Sequence, residues 1–224
     1  MGGVIGDLLP TALGVAISPV PIIAVILMLL APRAKAASVG FLLGWVVGIA
    51  AVITVVAVVV DPVDDSGGSG PSTLTSVVLM LLGAVACLLA VRSWRSRPRH
   101  GQTPELPKWM SAIESMTPVK AAGLGALLSG LNPKNLTLCL AGGLTIGAGG
   151  LDSEETVVAI VVFVLIASSS VAVPVLAYLA AQNRVRQPLD DLRVWLTENN
   201  STVISVLLLV IGVTILGKGL AGLI

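Results

Sequence analysis

One lysine of this chain lies where a charge is costly. Lys134 falls near the middle of a long apolar segment, and no Asp or Glu lies at a similar depth in any apolar segment. A cation inside a membrane helix faces protein or water and marks a functional site by default. We therefore expect Lys134 to face an aqueous cavity, backbone carbonyls or an anionic substrate. A structural role as a clamp on the carbonyls of a broken helix is the alternative, and the two roles can coexist.

Two short proline motifs lie near the middles of two apolar segments. They read Ser18-Pro19-Val20-Pro21 and Asn132-Pro133-Lys134-Asn135. Proline removes a backbone donor and clashes with the preceding turn, so both segments are predicted to be broken. Non-helical backbone at membrane depth is tolerated against protein or a water-filled cavity, and paired breaks point to a transport site, with two ordinary kinks as the alternative. With one serine of the run Ser168–Ser170 added, the predicted substrate-binding residues are Ser18, Pro19, Pro21, Asn132, Pro133, Lys134, Asn135 and Ser169.

Six apolar segments must position these residues. Each is about the length that a helix needs to cross a hydrocarbon layer of ~30 Å. None shows the short alternating pattern of barrel strands. The segments are Leu8–Leu30, Ser38–Val60, Leu74–Val91, Lys120–Ala148, Glu155–Ala180 and Thr202–Leu223.

The composition of the 224 residues agrees with a membrane bundle. Hydrophobic residues make up 55% and charged residues 11%, against about a quarter charged in an ordinary soluble domain. A net charge of +1 gives no basic face for nucleic acid. Cys87 and Cys139 lie in apolar runs without metal or disulfide spacing. Because no catalytic set or cofactor motif is visible, the sequence predicts an all-α integral membrane protein that is not an enzyme and has no cofactor or metal.

The charges of the loops alternate along the chain. Eleven of the 13 Lys and Arg residues fall between segments 1 and 2, 3 and 4, or 5 and 6, whereas the other two loops are acidic. The positive-inside rule places the basic loops in the cytoplasm and both termini outside. The basic residues are Arg33, Lys35, Arg92, Arg95, Arg97, Arg99, Lys108, Lys120, Arg184, Arg186 and Arg193.

The chain divides into two halves around its longest loop. Residues 1–92 and 120–224 each hold three segments and therefore run in opposite directions, which predicts an inverted repeat when Pro19 is aligned with Pro133. Residues 93–119 form a basic loop, and its second part is predicted to include a short interfacial helix with Trp109, Met110, Ile113 and Met116 facing lipid. Gly40, Gly44 and Gly48 form one flat face of segment 2, for which another segment of the bundle is the expected partner and a dimer interface the minor alternative.

These motifs, in this order, resemble the LysE superfamily of small exporters. The nearest branch is the GAP-like branch, also called Sap (sulfolipid-1-addressing protein), with a proline-rich first span, a Pro-x-Trp segment (Pro107-Lys108-Trp109) and an Asn-Pro-Lys-Asn motif. The superfamily is associated with efflux of amino acids, cations and other small solutes. The branch is associated with movement of complex glycolipids across the inner membrane of actinobacteria toward the cell surface. Thiol-transporting relatives carry a cysteine in the first span, which this chain lacks.

The resemblance implies a transporter of the bacterial inner membrane that exports a lipid, such as a glycolipid with an anionic or polar head group. The expected partners are that lipid or a small anionic substrate and the bilayer. A second copy of the chain or a lipid-export machinery is the further partner to consider, and nucleic acid is not expected. Two alternatives stay open: an exporter of amino acids or small solutes, and an accessory subunit of a larger machine.

Overall fold

The computed structural model describes residues 1–32, 34–59, 73–97, 113 and 116–223, and these residues form helices and short connections without a strand. The helices are α1 (Gly2–Ala16), α2 (Pro19–Leu30), α3 (Ala34–Val59), α4 (Thr73–Arg95), α5 (Pro118–Gly130), α6 (Pro133–Gly147) and α7 (Ser153–Ala221). The prediction of an all-α protein is therefore confirmed.

Four helical stretches of the described residues are long and apolar enough to cross a membrane. They are α3, α4 and the two parts of α7, Ser153–Gln182 (α7a) and Arg184–Ala221 (α7b). Ala181, close to the end of α7a, has non-helical backbone angles and marks the kink between the two parts. A fifth span results when α1 and α2, bent by 52°, are counted together. Side chains such as Leu74 and Val59 are more than 70% exposed, and so apolar a surface fits lipid rather than water.

The connection before the last apolar segment differs from the prediction. Residues 184–201 belong to α7b, whereas the sequence suggested a loop up to Thr202. A helix of 38 residues is about 57 Å long, well beyond a hydrocarbon layer of ~30 Å. Leu189 and Leu196 are buried in this stretch, which explains why its charged sequence still packs as a helix on the bundle.

The predicted interfacial helix over residues 108–116 lies outside the described residues, except for Ile113 and Met116. The prediction that Ile113 faces lipid is wrong, because its side chain is only 1% exposed and belongs to the main hydrophobic core. Met116 is partly buried and packs against the same core. The apolar spacing predicted that these side chains share one face. It could not show that this face packs against the hydrophobic core of the bundle and not against lipid.

The glycine face of α3 packs against α5. A Cβ atom on Gly40 or Gly44 would meet the backbone carbonyl of Pro118 or Ala122, respectively, and one on Gly48 would meet the hydroxyl of Ser129. The absence of side chains therefore lets the two backbones approach each other. This contact positions the helix that leads to Asn132, and it occupies the face that could otherwise have served a dimer.

Ion pairs define one end of the bundle. The Lys218 ammonium lies 3.0 Å from a carboxylate oxygen of Asp7 and donates to the carbonyl of that residue over 2.8 Å. The N-terminal amine lies 4.0 Å from the Glu155 carboxylate. The start of α1, the start of α7a and the end of α7b therefore share this end. At the opposite end, the Arg186 guanidinium lies 3.5 Å from the carbonyl of Leu30.

Replacing Gly44 with alanine should destabilise the bundle by about 1–3 kcal/mol, because the new methyl group overlaps the Ala122 carbonyl. The matched control is Gly123→Ala on α5, where a Cβ meets no atom within 4 Å and alanine favours helix. Thermal unfolding of the purified full chain in detergent measures both. Equal melting temperatures for the two variants would contradict the close contact of α3 and α5.

Candidate functional site

The first break separates α1 from α2 at Ile17 and Ser18. Ser18 has an extended backbone (φ −112°, ψ 100°), and Pro19 follows it as the first residue of α2. The proline ring cannot donate and disfavours a helical residue before it, so α1 ends at Ala16. The break leaves the carbonyl of Ile17 available to a partner outside its own helix.

The second break has the same design. Asn132 is extended and Pro133 begins α6, as Ser18 and Pro19 do in the first break. The Asn132 side-chain oxygen accepts a hydrogen bond from the backbone amide of Lys134 over 3.1 Å and caps the helix. The predicted breaks at both proline motifs are therefore present in the structure.

Lys134 joins the two breaks. Its ammonium donates to the Ser18 hydroxyl over 2.7 Å and to the carbonyl of Ile17 over 3.1 Å. The lysine is only 5% exposed. Within the described part of the chain, no carboxylate pairs with it, and two neutral acceptors serve its three N–H donors. The charge is thus held in place but is not neutralised.

Asn135 extends this network into a second helix. The Ser18 hydroxyl donates to the Asn135 side-chain oxygen over 2.9 Å, and the Asn135 amide donates to the carbonyl of Leu128 over 3.1 Å. Ser18 and Asn135 are both buried. The first break is therefore bonded to the start of α6 and, through Asn135, to the end of α5.

The serine run in α7a contributes one residue to the breaks. The Ser170 hydroxyl donates to the carbonyl of Ala16, the last residue of α1. Ser169 is exposed, and its hydroxyl donates to Ile166 of its own helix. Ser168 is buried. The structure therefore brings Ser170, and not Ser169, to the cluster around Ser18.

A cavity of about 320 Å³ adjoins the two breaks. Residues of α4 and α7b also line it. The fifth apolar segment, which holds the predicted site residue Ser169, contributes none of the described lining residues and instead contacts the end of α1 through Ser170. Sequence reasoning missed the wall residues of α4 and α7b, although polar runs at the end of one segment and just before another could have signalled them. The lining residues are Ser18, Pro19, Val20, Leu89, Arg92, Ser93, Ser96, Asn132, Pro133, Lys134, Asn200, Ser201, Ile204 and Leu208.

The cavity wall is electropositive. Among the residues that the structure describes, it carries two cations, Arg92 and Lys134, and no carboxylate. The first residues of α2 and α6 also line it, so the positive ends of two helix dipoles lie at the same place. Hydroxyl and amide groups from Ser93, Ser96 and Asn200 add hydrogen-bonding capacity. Such a wall suits an oxyanion. The described residues hold no group of three His, Cys, Asp or Glu that could bind a metal ion.

These features define a multi-pass helical membrane protein in which two broken helices meet beside an electropositive cavity. Residues 8–221 match the family model described as Sap, sulfolipid-1-addressing protein. The chain belongs to this family, as the resemblance of its motifs predicted. Searches of curated proteins and of solved structures found no match.

Asn132→Ala should lower the stability of the protein by about 1 kcal/mol, because the backbone amide of Lys134 loses its capping acceptor. Asn132→Ser is the control, since serine caps helices about as well as asparagine. Thermal unfolding in detergent measures the difference. A serine variant as unstable as the alanine variant would show that the side chain of Asn132 does not act as a cap.

Proposed function

We propose that this protein exports a lipid with an anionic head group across the inner membrane toward the cell surface. One observation carries the proposal: the buried ammonium of Lys134 lacks a carboxylate partner in the described structure and lines a cavity with a second cation. A buried charge without a counter-ion is costly, so the arrangement favours an anion as its transient partner. The family supports a role connected with addressing a sulfolipid, and a sulfate is such an anion.

The proposal includes six spans arranged as an inverted repeat. The described residues contain four or five candidate spans by length and composition. We take α5 and α6 as a further broken span, because their break repeats the design of the α1–α2 break: a polar residue with an extended backbone, then a proline at the start of a helix. Two halves related in this way could alternate access to the cavity by rocking against each other.

The same proposal places both termini outside the cell. Fusions to a reporter enzyme that is active only outside the cytoplasm should be active after Leu223 and inactive after Arg97. Fusions to a fluorescent protein that folds only in the cytoplasm should give the opposite pattern. The charge bias of the loops is the physical reason. Reporter activity on the same side at both positions would contradict the six-span arrangement.

Lys134→Met should abolish lipid export while the protein remains folded. Methionine fills a similar volume without a charge, and removal of an unpaired buried cation offsets the two lost hydrogen bonds, so stability should change by only about 1 kcal/mol. We expect a fall of about tenfold or more in surface-extractable glycolipid, as a lost charged interaction implies. The assay compares surface-extractable and cell-retained lipids in a deletion strain that expresses each variant.

Lys120→Met is the matched control, because Lys120 is an exposed lysine at the start of α5. It should export like the wild type at equal membrane abundance. Export by Lys134→Met at the wild-type level would refute the proposed site. If deletion of the gene leaves all lipids in place, export of a small solute becomes the better proposal, and amino-acid efflux is the next measurement.

A further inference from the structure

The outer face of α4 changes from apolar to cationic along its length. Leu81, Val85 and Leu88 lie on one face at spacings of four and three residues, and Leu88 is 69% exposed. The same spacing continues to Arg92 and Arg95 in the last turns of the helix, and both are exposed. We call these five residues the α4 stripe. None of the ion pairs formed by the described residues includes either arginine.

The stripe is continuous with the cavity. A shallow, open groove lies along its basic end, and its described lining residues all belong to α4 or follow it directly: Leu88, Val91, Arg92, Arg95 and Ser96. Arg92 and Ser96 also line the cavity that holds Lys134. These two residues therefore form a rim with the cavity on one side and an exposed, partly apolar surface on the other. A group held at Arg92 is already at the edge of the space that contains the second cation.

We propose that the α4 stripe is the lateral access site for an anionic lipid, and that Arg92 transfers its head group from the membrane surface to the Lys134 cavity. This inference rests on the proposed function and adds the route and the residues that select the substrate. The acyl chains would lie along Leu81, Val85 and Leu88. The anionic group would first contact Arg92 and Arg95, which donate charge-assisted hydrogen bonds to an oxyanion.

The dimensions of the cavity favour a lipid that keeps its chains outside. A volume of about 320 Å³ lies at the small end of ligand sites and suits a head group. An apolar surface that leads directly to two arginines complements a molecule with an apolar tail and an anionic head. A water-soluble anion would not contact the apolar part of the stripe. The contribution of Leu88 to binding affinity therefore distinguishes a lipid from a soluble anion.

The test measures lipid binding to the purified full chain in detergent by native mass spectrometry. The probes are sulfatide, which is a galactosylceramide with one sulfate, and the uncharged galactosylceramide. Wild-type protein should prefer sulfatide, and Arg92→Gln should lower its affinity for sulfatide about tenfold or more, with little effect on the uncharged lipid. Arg97→Gln is the matched control, because Arg97 stacks over Trp94 and lines neither the groove nor the cavity.

The apolar part of the stripe is tested in the same assay. Leu88→Gln should weaken the binding of both lipids, whereas Leu209→Gln, at another exposed apolar position on α7b, should not. Soluble galactose 3-sulfate should displace sulfatide only at much higher concentration, since it lacks the chains. Displacement at equal concentration would overturn the lipid assignment.

The route and the proposed function can fail separately. If Lys134→Met loses the preference for sulfatide but Arg92→Gln behaves like Arg97→Gln, the route through the stripe is wrong and the Lys134 site stands. If the wild type binds the two lipids equally, selection of an anionic head group fails, and the route fails with it. Loss of preference in Lys134→Met and Arg92→Gln, with the controls unchanged, supports both.

Discussion

The hydrogen bonds of the Lys134 ammonium join the two helix breaks, where the regular backbone hydrogen bonds of a helix are interrupted. Proline interrupts the helical ladder before α2 and again before α6, so each break depends on side chains for its partners. The Lys134 ammonium donates a hydrogen bond to the carbonyl of Ile17. Asn135 accepts one from the Ser18 hydroxyl and donates one to a carbonyl at the end of α5. The two breaks are therefore bonded directly to each other, and this contact depends on the packing of the surrounding helices.

Close packing of helices away from Lys134 supports the contact between the two breaks. Gly44 lets α3 approach the backbone of α5, and Gly83 and Gly212 do the same for α4 and α7b. Because these contacts involve backbone atoms, they set a short distance between the paired helices and help to position the break that follows α5. The cavity is lined by the two breaks together with α4 and α7b, and the Ser93 hydroxyl donates a hydrogen bond to the carbonyl of Ser201 at its wall.

The sequence predicted the parts of this site that follow from local chemistry. Proline at positions 19 and 133 must interrupt a helix, and a lysine without a carboxylate at its depth must find other acceptors. The sequence could not identify Arg92 as a wall residue, because an arginine at the end of a segment is also the ordinary signal of a cytoplasmic loop. Nor could it predict that Ser170, and not Ser169, contacts the first break. Neighbouring serines are chemically identical, and the packing of the helix decides which of them faces the bundle.

An anion can replace the two acceptors through which Lys134 joins the breaks. The acceptors of Lys134 are a neutral hydroxyl and a neutral carbonyl, and an ammonium binds a charged oxygen more strongly than either. Under the proposed function, an anion in the cavity would compete with Ile17 and Ser18 for the lysine, while Asn135 could keep its bond to Leu128. A ligand shifts a conformational equilibrium only through different affinities for its states. Competition for Lys134 supplies such a difference, because it loosens the first break only when the cavity is occupied.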